Sequence, residues 1–199
     1  MREILIGTSN PSKLKRLTGF FDGTGVVCRS PLELGLACAC AENAVSAEGN
    51  AVEKALAWHQ ASGLPVFAED SGLVLLDFPP DHPDQPGVHV RRIHGQTLND
   101  DAMLAYYQQL VRRHGGQLRA AWQDASCLLE DAAHWDTYVE PHASAFVMKP
   151  ELNGIVHPGW PLDSISYPLV DSSAQETERS AYRASLKQWI ARWVAQHFA

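Results

Sequence analysis

Short apolar runs alternate along the chain with segments in which apolar residues recur at helical spacing. A few consecutive apolar residues bounded by turn residues predict a buried strand. Such runs occupy residues 3–8, 26–28 and 66–68. Helical spacing predicts helices that begin near Pro11 and Gly49, and a further helix over 100–113. Strand-like pieces near 118–129 and 142–148 predict antiparallel hairpins.

The end of the chain carries large apolar residues at helical spacing. They are Tyr182, Leu186, Trp189, Ile190 and Trp193. Side chains in this pattern pack into a core or a dimer interface more often than they bind a cofactor. We therefore expect a closing helix whose apolar face is buried.

Composition restricts the classes of partner. The chain has 199 residues, enough for one large domain or for two lobes that share a core. Its formal net charge of −7 argues against binding to a nucleic-acid polymer, which requires a basic surface. A single nucleotide stays compatible with this charge, because a few local Lys or Arg residues and a divalent cation suffice to hold a phosphate chain.

Several features predict a cytoplasmic protein. No apolar run reaches the length of about 18 residues that a membrane span requires, so we expect no membrane partner. The N-terminus enters an apolar strand at once and leaves no room for a signal peptide. The cysteines lack the CxxC spacing of a zinc or thioredoxin site, and reduced thiols are typical of the cytoplasm.

The first segment with candidate chemistry is the polar turn from Thr8 to Lys13. A strand that leads through a polar turn into a helix N-terminus is a common phosphate site, because free amides and the helix dipole both favour an anion. Thr8, Ser9 and Asn10 offer neutral hydrogen-bond partners, and Lys13 offers a positive charge. The P-loop pattern is absent. An ordinary capped helix with a solvated lysine is the alternative interpretation.

The second segment is Glu69-Asp70-Ser71-Gly72, at the end of the predicted strand 66–68. Two adjacent acids where the backbone leaves the core are costly unless a cation neutralises them. Oxygen ligands beside a phosphate substrate are the usual arrangement for Mg²⁺, and one acid can hold the ion while its neighbour polarises water. An exposed acidic turn is the alternative. Lys54 precedes Glu69 by fifteen residues, on the helix before this strand.

These residues, taken in order, resemble the inosine/xanthosine triphosphate pyrophosphatase family. Thr8–Lys13 is similar to the family's T-G-N-x-x-K, 50–55 to N-A-x-x-K-A, and 69–73 to D-D-S-G-L. Later matches are Pro86-Gly87 through Arg92 to Gly95 with P-G-x-x-x-x-R-x-x-G, 159–164 with G-F-G-Y-D-P, and 181–183 with S-H-R. The ordered set extends over nearly the whole chain, which makes it more specific than any single motif.

The resemblance implies a mixed α/β fold. A long central sheet flanked by helices would form two lobes of one domain over residues 1–199, with a nucleotide cleft between the lobes. It also implies a homodimer and a hydrolase that depends on Mg²⁺. The expected reaction cuts aberrant purine nucleoside triphosphates (ITP, dITP and XTP) between the α- and β-phosphates and yields a monophosphate and pyrophosphate.

Site roles follow from the same resemblance, position by position. The triphosphate is expected to be held by Thr8, Ser9, Asn10, Lys13 and Ser71. Mg²⁺ is expected to be bound by Glu69 and Asp70, with Glu48 as a further ligand. Asp70 is expected to activate water, and Lys54 to support the phosphates or the acids. On the base side, Trp160 is expected to stack on the base, Asp163 to read its edge, and Arg183 to approach the phosphates or the base.

The chain departs from the family pattern at four positions. The glutamate before Asn-Ala falls on Gly49, with Glu48 one residue early, and the first acid of the pair is Glu69 instead of Asp. The family His is Tyr182, and Arg179 is the nearest substitute for the preceding Lys. Two other functions therefore stay open: the same fold acting on another nucleotide, and a nucleotide-binding protein with weak or no hydrolysis.

Overall fold

The computed structural model describes residues 2–38, 40, 42–93, 95–140, 145–169 and 172–198, with the backbone alone for 172–175. Two compact units contain these residues. Unit 1 consists of the described residues within Met1–Ser71, Asp124–Glu140 and Ser180–Ala199, and unit 2 of those within Gly72–Gln123 and Pro141–Arg179.

Strands and helices alternate in the first half of the chain, and strands predominate after it. The strands are β1 (Glu3–Ile6), β2 (Val27–Arg29), β3 (Val66–Leu75), β4 (Arg92–Ile93), β5 (Gln96–Thr97), β6 (Leu118–Asp131), β7 (His134–Glu140), β8 (Ala145–Met148) and β9 (Ser166–Pro168). The α-helices are α1 (Pro11–Thr18), α2 (Ala47–Ser62), α3 (Asp100–Arg113) and α4 (Ser172–His197). Two 3₁₀ helices lie at Gly19–Phe21 and Pro161–Ile165.

The main sheet is mixed, and helices flank it. Its strand order is β2-β1-β3-β6-β8-β9, and β7 pairs with β6 at the side of this path. β1 is parallel to both β2 and β3, whereas β6 is antiparallel to β7 and β8, and β8 to β9. β4 and β5 form a separate antiparallel pair. The predicted mixed α/β fold is thereby confirmed.

The core of unit 1 joins the first strands to the closing helix. Ile4, Ile6 and Phe67 are buried in the same cluster as four residues of the predicted apolar face of α4. Those four are Leu186, Trp189, Ile190 and Trp193. They are at most 7% exposed, so they are core residues of a single chain and not a cofactor site.

The core of unit 2 forms around α3, which has the predicted bounds. Met103, Tyr107, Leu110 and Val111 lie on its buried face. The hydroxyl of Tyr107 donates to the carbonyl oxygen of Val90 at 3.0 Å, so the one polar atom of this side chain is satisfied inside the core.

The predicted end of the strand at residue 68 is wrong. β3 continues without interruption from Val66 to Leu75, which also excludes the alternative of an exposed acidic turn at 69–72. The buried face of α2 is formed by Ala51, Ala55 and Trp58, whereas Val52 and Leu56 are only partly buried. Small residues allow close packing here: a Cβ at Gly7 would lie 2.8 Å from Cδ1 of Trp58.

The second half of the chain differs from prediction in detail. β7, the 3₁₀ helix Pro161–Ile165 and β9 were not predicted. Residues 141–144, part of a predicted hairpin strand, lie outside the described residues. Among the helices of the described chain, none combines the length and apolar character needed to span a membrane.

Candidate active site

The turn from Thr8 to Lys13 is fixed by helix capping. Asn10 is the N-cap of α1, and Pro11 occupies the first helical position, where a missing N–H is harmless. The Asn10 side-chain oxygen accepts from the amides of Ser12 (2.9 Å) and Lys13 (3.2 Å), and the Asn10 amide donates to Oγ1 of Thr8 at 3.2 Å. These two helix amides are therefore engaged by the cap, and phosphate binding here would fall mainly to side chains.

A first charged group, the Glu69 cluster, consists of Glu69, Lys13, Arg16, Ser71 and Asp124. The Glu69 side chain is fully buried, and its Oε1 lies 3.3 Å from Nζ of Lys13 and 2.5 Å from Nη2 of Arg16. Burial alone would raise the pKa of Glu69, but the two neighbouring cations outweigh it and lower the pKa. Within the described chain, the other oxygen, Oε2, is buried without a hydrogen-bond partner.

Asp124 on β6 completes the Glu69 cluster. Its carboxyl group is hydrogen-bonded to the side chain of Ser71. Burial and the negative charge of Glu69 raise the pKa of Asp124. Tyr182 of α4 is also near these acids, since burial and the charges of Asp124 and Glu69 raise its pKa. Tyr182, which the family resemblance matches to the His of S-H-R, therefore lies beside this cluster.

A second group, the Asp70 cluster, consists of Asp70, Asn50, Lys54 and Glu42. Nζ of Lys54 lies 3.0 Å from Oδ1 of Asp70 and 3.0 Å from Oε1 of Glu42, and it donates to the Glu69 carbonyl oxygen at 3.2 Å. Nδ2 of the buried Asn50 donates to Oδ2 of Asp70 at 3.1 Å. Burial acts to lower the pKa of Lys54, but the two carboxylates outweigh it and raise the pKa.

Glu69 and Asp70 therefore have separate partners. Consecutive residues of a strand point to opposite faces, and both lie inside β3. Ser71, two residues after Glu69, lies on the same face of the strand. Its side chain is hydrogen-bonded to Asp124, whose pKa is raised by the charge of Glu69. The sequence predicts one ion held by both carboxylates, whereas the structure gives Glu69 two cations from α1 and Asp70 a cation from α2.

Glu48 and Gly49 begin the helix that carries Lys54. The exposed carboxylate of Glu48 accepts from the hydroxyl of Thr137 at 2.6 Å. A Cβ at Gly49 would lie 2.6 Å from the Cβ of Ala44, so the packing of the preceding segment favours glycine there. Among the described residues, no group of three or more His, Cys, Asp or Glu is arranged to hold a metal ion.

In unit 2, the Trp160 turn (residues 157–163) carries the predicted base-side residues. Oδ2 of Asp163 lies 2.7 Å from Nδ1 of His157. The Gly159 amide donates to Oδ2 of Asp100 at 2.8 Å, and Nη2 of Arg91 donates to the Gly159 carbonyl oxygen at 3.4 Å. Arg91 and Asp100 are themselves paired at 2.7 Å. The backbone N–H and C=O of Gly159, the residue before Trp160, are thus both hydrogen-bonded.

Some residues of these groups were not predicted from sequence. Arg16 was given no role, although its spacing of three from Lys13 places both on one helix face. Glu42 lies in a segment without periodicity, and Asp124 and His157 carry no local signal. Arg183, a predicted site residue, is exposed on α4 directly after Tyr182.

Comparison with known proteins defines the family. The structure places this chain among mixed α/β proteins. Its distinguishing features are a capped polar turn and buried acids paired with cations. The chain belongs to the Ham1 family, whose family model matches residues 4–158. This assignment confirms the resemblance to inosine/xanthosine triphosphate pyrophosphatases.

Individual relatives agree with this assignment. The dITP/XTP pyrophosphatase of Porphyromonas gingivalis is 29% identical over 133 residues, which cover 66% of this chain and 65% of that protein. The dITP/XTP pyrophosphatase of Geobacillus kaustophilus is 36% identical over 105 residues, or 53% of this chain and 50% of that protein. The matched stretches thus span between half and two thirds of these curated relatives.

A solved structure has the same fold. The HAM1 protein of Coxiella burnetii superposes with a TM-score of 0.68 at 19% identity and covers 96% of this chain and 100% of that one. At this level of identity the likeness demonstrates the fold.

Proposed function

We propose that this chain is a nucleoside triphosphate pyrophosphatase that hydrolyses aberrant purine nucleoside triphosphates to a monophosphate and pyrophosphate. Family membership and relatives named dITP/XTP pyrophosphatase support this function. The observation that carries the proposal is the Asp70 cluster, because a buried carboxylate that is hydrogen-bonded to Lys54 and Asn50 is a costly arrangement that a catalytic site explains.

The chain's own residues suit the chemistry of phosphoryl transfer. Such reactions depend mainly on positioning and on neutralising charge that develops on the phosphate chain. We propose that Lys13 and Ser9 bind the phosphates, next to the capped turn of Asn10. Asp70 would accept the proton of the attacking water at its carboxylate, and Lys54 would hold that carboxylate in place through Oδ1.

The site offers one or two carboxylates to a Mg²⁺ ion that is also bound by the substrate phosphates. The ion commonly binds one or two carboxylates together with substrate phosphates, so the lack of a three-residue ligand group among the described residues does not argue against it. Asp70 is the carboxylate that we propose for Mg²⁺, and the unpartnered Oε2 makes Glu69 the second candidate. When bound, the ion would supply positive charge that offsets the charge of the phosphates.

The base side rests on the Trp160 turn. We propose that Trp160 stacks on the purine and that Asp163, with His157 bonded to it, contacts the base edge. We also propose a homodimer in the cytoplasm, and four free cysteines support a reducing compartment.

A panel of nucleoside triphosphates tests the proposal. ITP, XTP, dITP and the four standard nucleotides are incubated with the protein, and pyrophosphate and orthophosphate are measured separately, with and without Mg²⁺. We expect pyrophosphate from ITP or XTP, little from ATP, and none without the ion. Orthophosphate as the first product would overturn the proposed cut.

A second function, binding without hydrolysis, has one observation in its favour. Glu48 is bonded to Thr137, and Gly49 carries no carboxylate in the position of the family glutamate. Thermal stabilisation by ITP and Mg²⁺ without pyrophosphate release would favour this function. Mass spectrometry of the nucleotide after prolonged incubation separates the two, because a binding protein returns the triphosphate intact.

A further inference from the structure

Two cations share one oxygen of Glu69. Nζ of Lys13 and Nη2 of Arg16 lie 3.3 Å and 2.5 Å from the same Oε1, and the carboxylate is fully buried. A buried carboxylate requires a counter-charge, and its isolation inside the protein is strongly unfavourable. One cation matches the single charge of Glu69. The group formed by Glu69, Lys13 and Arg16 therefore carries one positive charge in excess.

Arg16 is the better fixed of the two cations. Its contact with Oε1 is shorter, and a guanidinium presents a planar set of donors suited to carboxylates. The charge of Asp124 acts on both Arg16 and Lys13, so the difference between the two cations lies in their contacts with Glu69.

Lys13 is the better placed to move. Its amine is a compact charge on a flexible four-carbon stem with three donors that can turn between partners. Its longer distance to Oε1 indicates the weaker pair. Lys13 also belongs to the first turn of α1, next to the cap residue Asn10, where the proposed phosphate contacts lie.

We propose that Arg16 is a positioning residue that keeps Glu69 paired while Lys13 leaves it to bind the phosphate chain. The inference rests on the proposed function, in that Lys13 contacts the substrate phosphates. Without Arg16, Lys13 becomes the sole counter-ion of a buried carboxylate. Lys13 then stays paired with Glu69 and no longer binds the phosphate chain.

A double-mutant cycle with inorganic tripolyphosphate tests this division of roles. Binding is measured by calorimetry in EDTA, so that neither metal nor hydrolysis contributes. The proteins are the wild type, Arg16→Met, Glu69→Gln and the double variant. We expect Arg16→Met to weaken binding about tenfold or more. We expect Glu69→Gln to strengthen binding only slightly in the wild type but about tenfold in the Arg16→Met background, because there it releases Lys13.

The alternatives give different cycles. If Arg16 binds phosphate directly, Glu69→Gln changes affinity equally in both backgrounds, and this additive result overturns the inference. Unchanged affinity of Arg16→Met overturns it as well. Arg16→Lys supplies the conservative control: it keeps a positive charge beside Glu69 and is expected to bind within about threefold of the wild type.

A measurement on the wild type keeps the test valid if Arg16→Met does not fold. In protein labelled at Lys and Arg side-chain nitrogens, tripolyphosphate is expected to shift the NMR signal of Lys13 Nζ and leave the Arg16 guanidinium signals in place. The reverse pattern overturns the inference. A wild type that binds neither tripolyphosphate in EDTA nor ITP with Mg²⁺ contradicts the proposed function instead. A wild type that binds ITP with Mg²⁺ but no tripolyphosphate overturns the inference alone, so the two failures are distinguishable.

Discussion

Two regions of this protein carry polar side chains in very different surroundings. In unit 1, the Glu69 and Asp70 clusters set two buried carboxylates of β3 against three cations from α1 and α2. In unit 2, the polar side chains of the Trp160 turn are exposed to solvent, His157 to 61% and Asp163 to 37%. In the first region, the loss of an ion-pair partner is strongly destabilising because the remaining charge is buried. In the second region, water can take the place of a lost partner, so the loss has little effect on stability.

Because of this difference, we expect the two regions to contribute to function in different ways. Buried ion pairs hold groups in fixed geometry, and they raise the cost of any change in charge. The exposed turn is held by bonds to the Gly159 peptide and can supply shape and stacking with little effect on stability. Substitutions around β3 should therefore alter turnover and folding, and those in the Trp160 turn should alter affinity for the nucleoside.

Asp70→Asn is expected to have the largest effect. The amide keeps the shape of the side chain but removes the charge that we propose for proton transfer, so turnover should fall by about 10²- to 10⁴-fold. Initial rates of pyrophosphate release from ITP measure the loss, and circular dichroism checks that the variant is folded. Asp77→Asn, at an acid paired with Arg119 in unit 2, is the matched control. Full activity of Asp70→Asn would contradict the mechanism.

Glu69→Gln is expected to show how much the buried charge of Glu69 stabilises the fold, through the pH dependence of the free energy of unfolding. The pKa of Glu69 is lowered in the folded state, so its ionised form contributes stability above the ordinary value of about 4.3 and loses it as the pH falls through the folded-state value. At pH 7 we expect a loss near the lower end of about 3–5 kcal/mol, because Lys13 and Arg16 are partly exposed.

Urea unfolding between pH 7 and pH 3 measures this effect. The difference between wild type and Glu69→Gln should narrow below about pH 4, because protonation removes the same charge from the wild type. Glu151→Gln, at an exposed glutamate, should follow the wild type throughout. A difference that stays constant down to pH 3 would show that the charge of Glu69 does not stabilise the fold.

Sequence was most informative where local pattern determines structure. The apolar run of β1, the Asn10-Pro11 cap and the period of α3 depend on neighbouring residues, and all were predicted. The role of Lys54 was expected only from the family resemblance, and in the structure its Nζ donates to the Glu69 carbonyl oxygen.

Contacts between distant segments were not predictable from such patterns. The turn residues Ser71 and Gly72 favoured a loop, yet tertiary pairing extends β3 through them, and this assigns Glu69 and Asp70 to different partners. Arg16 pairs with a residue 53 positions away, and Asp124 comes from β6. No periodicity or motif in one sequence indicates these pairings.

Trp160→Ala tests the second region. Stacking of a base on an aromatic side chain contributes about 1–3 kcal/mol, so KM for ITP should rise by about 5- to 150-fold while kcat changes little. Affinity for inorganic tripolyphosphate, which has no base, should stay the same. Trp135→Ala, at a half-exposed tryptophan of β7, is the matched control. A parallel loss of tripolyphosphate binding would show that the Trp160 turn supports more than the base.

Substitution of Arg91 should give the smallest effect. Its pair with Asp100 is exposed (34% and 44%), and exposed pairs contribute about 0–1 kcal/mol, or up to about fivefold in KM. Arg91→Ala removes one weak bond to the Gly159 carbonyl, whereas Asp100→Ala removes the shorter bond to its amide. We therefore expect KM for ITP to rise less in the first variant than in the second, with kcat unchanged in both. Arg112→Ala, in the last turn of α3, is the control. Equal KM values in all of these variants would mean that the Trp160 turn keeps its conformation without the ion pair.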